Sequence, residues 1–214
     1  MKSGGGMGEP AEKVVAYIDG FNLYFSMKNK GWRRYYWLDV HLLAKNLLKP
    51  NQTLVLTKYF TSRITTSDPN KFRRQNDYIE ALSNIKNLKI YYGKYKIIET
   101  TCTKCGSKLK TPKEKMTDVN IATHLMKDAY QDIFDAALLI SGDSDLVEPV
   151  KTISELFPKK RVIIAFPPGR VATDLKNVVR SSFIIGRRNI SISQLDEHVM
   201  KEDGCILTRP NEWK

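Results

Sequence analysis

Five polar side chains are spaced as a hydrolytic site would need them. Asp19 closes the apolar run Val14-Val15-Ala16-Tyr17-Ile18, and Asn22 follows three residues later, one helical turn on, so both reach the same space. Asp118 precedes Ile121, Ala122, Leu125, Met126 and Ala129, which stand at +3, +4, +7, +8 and +11. That spacing places Asp118 in the first turn of a helix, on the face that packs against a sheet. Asp143 and Asp145 follow a second apolar run, Ala136 to Ile140, through Ser141-Gly142. Carboxylates gathered at one edge repel one another and call for a cation. Hard oxygen donors without clustered histidines select Mg2+ or Mn2+ over zinc. Such an ion neutralises a phosphate, lowers the pKa of a water and stabilises charge on attacking and leaving oxygens, which is the chemistry of phosphodiester hydrolysis. The Asn22 amide suits the orientation of a water or a phosphate oxygen. Each acid also has a structural alternative, Asp118 and Asp145 as helix starts and Asp19-Gly20 as a tight turn.

The elements that must position these residues alternate. Strands are expected at 14–18, 53–60, 88–98 (as strand or hairpin), 136–140, 161–166 and 183–185. Helices are expected from Phe21, over 38–48, 70–85, 118–130, 145–156 and 171–178, and last over Ile192 to Met200. The strands are uniformly apolar rather than alternating. This pattern marks an α/β fold, a mostly parallel sheet with helices on both faces. In such a sheet, sites form beyond the carboxyl ends of the strands, where Asp19, Asp143 and Asp145 stand.

Charge is unevenly spread. The chain has 214 residues with 35 Lys and Arg against 23 Asp and Glu, a net +12. Residues 86–115 carry nine Lys against Glu99 and Glu114, and 159–188 carry eight basic residues against Asp174, so each segment is +7. Residues 116–158 sum to −6 and hold three of the candidate ligands. Basic flanks suit a polyanion such as nucleic acid. Asp128, Asp132 and Asp135 are expected to face solvent. With 42% hydrophobic residues the chain can build a core, and three cysteines exclude a multi-bridge framework. No apolar stretch approaches the roughly 18 residues that span a bilayer, and no signal-type segment is evident, so a soluble cytoplasmic protein is expected, with no membrane partner. Residues 1–9 are set aside as a disordered or expression-derived leader; 10–200 are read as one domain and 201–214 as a tail without a clear signal.

Trp32, Arg33 and Arg34, within Gly31-Trp-Arg-Arg-Tyr-Tyr-Trp37, combine stacking surface with phosphate-binding charge; Trp37 also suits a packed loop. Arg63, Lys71, Arg73, Arg74 and Arg170 are further candidates for contact with RNA. Cys102-Thr-Lys-Cys105 is half of a zinc site within a Lys-rich insert at about 99–115, with Cys205, His41, His124 and His198 as completions, or a second copy of the chain in a homodimer. A reduced pair or a reversible disulfide is the alternative. Lysines 104, 108, 110, 113 and 115 make the insert a candidate RNA-contacting arm. His124, at +6 from Asp118, falls off the inward stripe and is expected at the surface or an edge.

The segments Tyr17-Ile-Asp19-Gly-Phe-Asn22-Leu-Tyr24, Thr117-Asp118-Val-Asn-Ile-Ala122, Ser141-Gly-Asp143-Ser-Asp145 and Lys160-Arg-Val162 resemble, in order and spacing, the NYN domain of the PIN-like nuclease superfamily, in particular its bacterial LabA-like branch. The resemblance covers about Val14 to Val199. It implies a PIN-like Rossmannoid fold with sheet order 3-2-1-4-5 and metal-dependent ribonuclease activity, with Asp19, Asn22, Asp118, Asp143 and Asp145 at the family's acidic-site positions. A further acid of such sites has Asp77 and Glu80 as candidates that no motif fixes. Two other readings stand beside it. One is a non-catalytic RNA-binding or regulatory protein. The other is a phosphatase of the haloacid-dehalogenase type, which places an Asp after its first strand but needs a second Asp where this chain has Phe21.

Overall fold

The computed structural model describes residues 11–66, 68–103 and 105–214, and of residues 95–98, 100 and 109–114 the backbone alone. The leader and Lys104 therefore lie outside the described residues, as do the side chains of Lys110 and Lys113.

Six parallel strands form one sheet: β1 (Glu12–Asp19), β2 (Gln52–Thr61), β3 (Leu88–Tyr92), β6 (Ala136–Ile140), β7 (Arg161–Phe166) and β8 (Ser181–Ile184). Their spatial order is β3-β2-β1-β6-β7-β8, which is 3-2-1-4-5-6 when only sheet strands are counted. The expected order is thus present, with β8 added at the edge. Between β3 and β6 the chain makes an antiparallel hairpin, β4 (Lys94–Thr101) and β5 (Lys108–Lys115), which forms a sheet of its own.

Helices cover both faces because successive strand residues point to opposite sides. Val14, Ala16 and Ile18 join a core with α1 (Gly20–Asn29), α2 (Val40–Asn46), α3 (Pro69–Ser83) and α7 (Arg187–Ser191). Val15 and Tyr17 join the opposite core with α4 (Thr117–Tyr130), α5 (Val147–Leu156) and α6 (Thr173–Asn177). The helix starts follow from capping: Asp39 accepts from the Leu42 N–H at 2.8 Å, and Asp68 accepts from the N–H groups of Asn70 and Lys71 ahead of α3, with Pro69 in its first turn. Among the described residues no helix is long and apolar enough to cross a membrane.

Two expectations are corrected. Residues 192–200 do not form a last helix. Ser193 and Leu195 pair by backbone with Asp39 and Trp37, and β9 (His198–Met200) turns through Gly204, at φ +82°, into β10 (Ile206–Thr208). The Asp203-Gly204 pair is a hairpin signal that outweighs the short helical spacing of Ile192, Leu195 and Val199. Asp128 does not face solvent: it is 4% exposed, accepts from the Tyr17 hydroxyl at 2.5 Å and pairs with Lys58 at 2.6 Å. Asp132 is exposed and paired with Lys160, and Asp135 accepts from the Lys13 N–H.

The tail is part of the fold. Trp213, on a short 3-10 turn (Asn211–Trp213), packs against Tyr36, Trp37 and Tyr78 with ring centroids 5.8–6.1 Å apart. Trp37 itself is wholly buried and donates its indole N–H to the Asp196 carbonyl at 2.8 Å.

Candidate active site

The sheet order reverses between β1 and β6, and the site lies at the carboxyl ends of these two strands. Ile18 pairs with Ile140, so Asp19 and Ser141 are the next residues of neighbouring strands. Asp19 is the N-cap of α1, its Oδ1 accepting from the Asn22 N–H at 2.9 Å. The next residue must be glycine: a Cβ on Gly20 would stand 2.6 Å from the Tyr59 ring and 2.8 Å from the Phe60 carbonyl oxygen. The cap and the close approach together hold the Asp19 carboxyl beneath the start of α1, where it is only 4% exposed.

Ser141 ties the first acid to the turn after β6. Its hydroxyl donates to Asp19 Oδ2 at 3.1 Å and accepts from the Asp143 N–H at 3.2 Å. Asp143 Oδ1 in turn accepts from the Asp145 N–H at 3.0 Å, capping the 3-10 turn Ser144–Leu146 that precedes α5. Asn22 Oδ1 accepts from the Gly142 N–H at 3.1 Å. Ser26, one turn along α1, donates to the Pro168 carbonyl in the turn after β7. Gly142 is pressed on that turn as well, because a Cβ there would meet the Arg170 carbonyl oxygen at 2.7 Å. The loops after β6 and β7 and the start of α1 are thereby locked to one another.

The Asp19 carboxyl is raised to about 7, chiefly by burial, with the negative charges of Asp118 and Asp143 adding to the rise and the hydrogen bonds from Asn22 and Ser141 opposing it. Asp118, half-buried in the first turn of α4, and Asp143, half-buried on its turn, are therefore close enough to act electrostatically on Asp19. Asp145 is exposed on the outer side of the same turn. Among the described residues no three His, Cys, Asp or Glu side chains converge closely enough to hold an ion. The donor set at Asp19, Asp118 and Asp143 is nonetheless all oxygen and mutually repelling, which is the chemistry a hard divalent cation requires. Cys102 and Cys105 stand in the loop of the β4–β5 hairpin with no third ligand among the described residues. Hydrogen bonding from Ser107 and Cys102 holds the Cys105 thiol below its ordinary value.

The other sequence candidates are placed as follows. Arg170 adjoins Gly142, beside the Asp143 turn. Arg33 and Arg34 form a 3-10 turn with Tyr35, over whose ring Arg34 lies at 5.0 Å, while Trp32 meets that ring edge-on. Lys71, Arg73 and Arg74 lie on α3; Arg73 approaches Asp77, and Arg74 pairs with Glu212 at 2.6 Å. Arg63 donates to Asn76 and covers the Tyr92 ring. His124 is half-buried against Tyr91, 4.0 Å between ring centroids, with Nδ1 3.3 Å from Lys58 Nζ; burial and that charge lower its pKa. Ser141 was not singled out from sequence, although its position at the end of an apolar strand, between two acidic strand ends, is the signal that could have found it.

The NYN domain family profile matches residues 13–190, which spans every one of these acids. The chain belongs to the NYN domain family. That family lies within the PIN-like nuclease superfamily, so the fold and the family expected from the motifs both hold. Among solved structures the chain is similar to a protein of unknown function from Vibrio parahaemolyticus, at 17% identity and a TM-score of 0.54, covering 87% of this NYN chain and 98% of that one. The likeness is one of fold. No curated protein matches the chain.

Proposed function

We propose that this NYN protein is a metal-dependent ribonuclease. The observation that carries the reading is Asp19, buried at the switch point of the sheet with its carboxyl raised to about 7 by burial and by Asp118 and Asp143. A carboxyl so placed is costly unless a cation shares it. Asp19, Asp118 and Asp143 would hold Mg2+ or Mn2+, with Asp145 at the rim. Bound there, the ion supplies positive charge against a phosphodiester and activates a water. Ser141 and the start of α1 keep Asp19 fixed through the hydrogen bonds to its two oxygens. Asn22, whose carbonyl is occupied by Gly142, turns its NH2 group to the phosphate. Arg170, whose backbone adjoins Gly142, would add positive charge against the phosphate. The net +12 of the chain draws the RNA in.

Incubation of the protein with mixed RNAs and Mn2+, beside Asp143→Asn, tests this. Cleavage by the parent alone is expected; equal cleavage by both rejects the site. One observation favours a non-catalytic RNA-binding protein instead, namely that the described acids do not converge on one point. That reading predicts salt-sensitive RNA binding without cleavage under any divalent metal.

A further inference from the structure

Helix α1 has a second face. Asn22 and Ser26 point to the loops after β6 and β7, as their hydrogen bonds show. Phe21, Tyr24, Phe25 and Lys28, at i, i+3, i+4 and i+7, line a different space, a cavity of about 550 Å3 between α1, the Arg33 turn and α3. It begins at Gly20, the residue after Asp19, and Trp213 of the tail forms part of its wall. A volume of this size lies within the roughly 300–1,000 Å3 range of sites for small organic ligands.

The lining is aromatic with cations at its edge. Phe21 and Phe25 are stacked, 5.9 Å between centroids and 21° between planes, and Tyr24 meets both Phe25 and Tyr36 at 5.0–5.3 Å. Phe25 is 40% exposed; Phe21 stacks on its ring and the Lys28 ammonium lies 5.9 Å from its centroid, so a planar guest takes the exposed part of the ring by displacing that flexible side chain. Lys28, Arg33, Lys71 and Arg74 all reach the cavity. Among the described residues only Arg74 of these has an ion-pair partner, Glu212, and that carboxylate holds the guanidinium as a phosphate would. Aromatic faces beside Arg33 and Lys71, which have no carboxylate partner among the described residues, at the edge of the proposed phosphodiester site, are complementary to a nucleotide rather than to an acyl chain or an apolar peptide.

We propose that the cavity seats one unpaired nucleotide of the RNA, its base stacked on Phe25 and its phosphates met by Arg33 and Lys71, so that the strand passes from there over the N-terminus of α1 to Asp19. The substrate is then single-stranded at this point, since a paired base cannot enter. This rests on reading the carboxylates as a ribonuclease site.

Binding of a fluorescently labelled eight-nucleotide single-stranded RNA, measured by anisotropy in EDTA so that nothing is cut, tests the seat apart from catalysis. Phe25→Ala is expected to weaken binding about tenfold, and Phe25→Leu nearly as much because a leucine does not stack. A blunt RNA duplex should bind the parent and both variants alike. Thermal melts confirm that the variants are folded. Unchanged single-strand affinity in Phe25→Ala, full retention by Phe25→Leu, an equal loss for the duplex, or no binding by the parent would each overturn the seat. Phe25-dependent binding without cleavage under Mn2+ would remove the ribonuclease reading and leave the seat standing. Cleavage that depends on Asp143 but not on Phe25 would do the reverse.

Discussion

Replacing Asp19 by Asn should stabilise the metal-free protein at alkaline pH while abolishing its response to divalent metal. An aspartate ordinarily ionises near 3.8, and in the folded chain Asp19 does so near 7. At about 1.36 kcal/mol for each tenfold step, ionising it in place costs roughly 4 kcal/mol. Because the folded value is the raised one, stability is fully present below pH 3.8 and is lost as pH rises through 7. The loss is roughly 2 kcal/mol at pH 5 and roughly 4 kcal/mol at pH 8. Asn keeps the geometry: its side-chain oxygen still accepts from the Asn22 N–H as an N-cap, and the Ser141 hydroxyl can rotate to accept from its NH2 group. In EDTA the variant should therefore melt above the parent at pH 8, by about 8–16 °C at the full magnitude, with the gap halved at pH 5. Mn2+ at a hundredfold excess over Kd should stabilise the parent by about 2.7 kcal/mol, raising its melting temperature, and leave Asp19→Asn unmoved. Differential scanning calorimetry at the two pH values, with and without Mn2+, reads all of this. A variant no more stable than the parent at pH 8, or a pH-independent difference, would refute the claim that burial and like charge strain Asp19. An equal Mn2+ response in both would refute its place in the metal site.

Three further outcomes follow from the packing. Gly20→Ala forces a methyl against the Tyr59 ring and the immovable Phe60 carbonyl, so urea titration should show a loss of about 2 kcal/mol and Mn2+ stabilisation should vanish with the displaced cap. Lys58→Met leaves Asp128 buried and without its cation and should cost about 3 kcal/mol, whereas Lys58→Met with Asp128→Asn should recover most of that loss by the same titration. Trp213→Ala empties a site ringed by Tyr36, Trp37 and Tyr78 and should cost about 3 kcal/mol; an effect below about 1 kcal/mol would mean that the tail is not bound in solution.

What sequence could reveal depended on whether a residue's partners were local. Asp19, Asp118 and Asp143 were legible because a strand end or a helix start fixes where each must lie, and the parallel order of β1 and β6 then brings the ends together. Asp128 shows the converse. It stands seven residues after Ile121, on the buried stripe, yet an acid on a buried stripe cannot be read as buried until its partners are known. These are Tyr17 on β1 and Lys58 on β2, 111 and 70 residues away by their numbers. The tail failed for the same reason: Trp213 has no periodic neighbours, and its partners Tyr36, Trp37 and Tyr78 come from other elements. Over residues 192–200 the helical spacing of three apolar residues is a local signal, and it yields to the Asp203-Gly204 turn that pairs β9 with β10.

The same distinction bears on how the proposed catalysis and the proposed recognition of RNA would be joined. Helix α1 is held on one side by Asn22 and Ser26 to the loops after β6 and β7, and on the other its aromatic face forms the wall of the cavity. A displacement of α1 cannot change one face and spare the other. Gly20, which lines the cavity and follows Asp19, is the point where the two meet. A change that shifts the start of this helix should therefore lower metal response and RNA affinity together, whereas Phe25→Ala, on the cavity side of the helix, should lower RNA affinity alone.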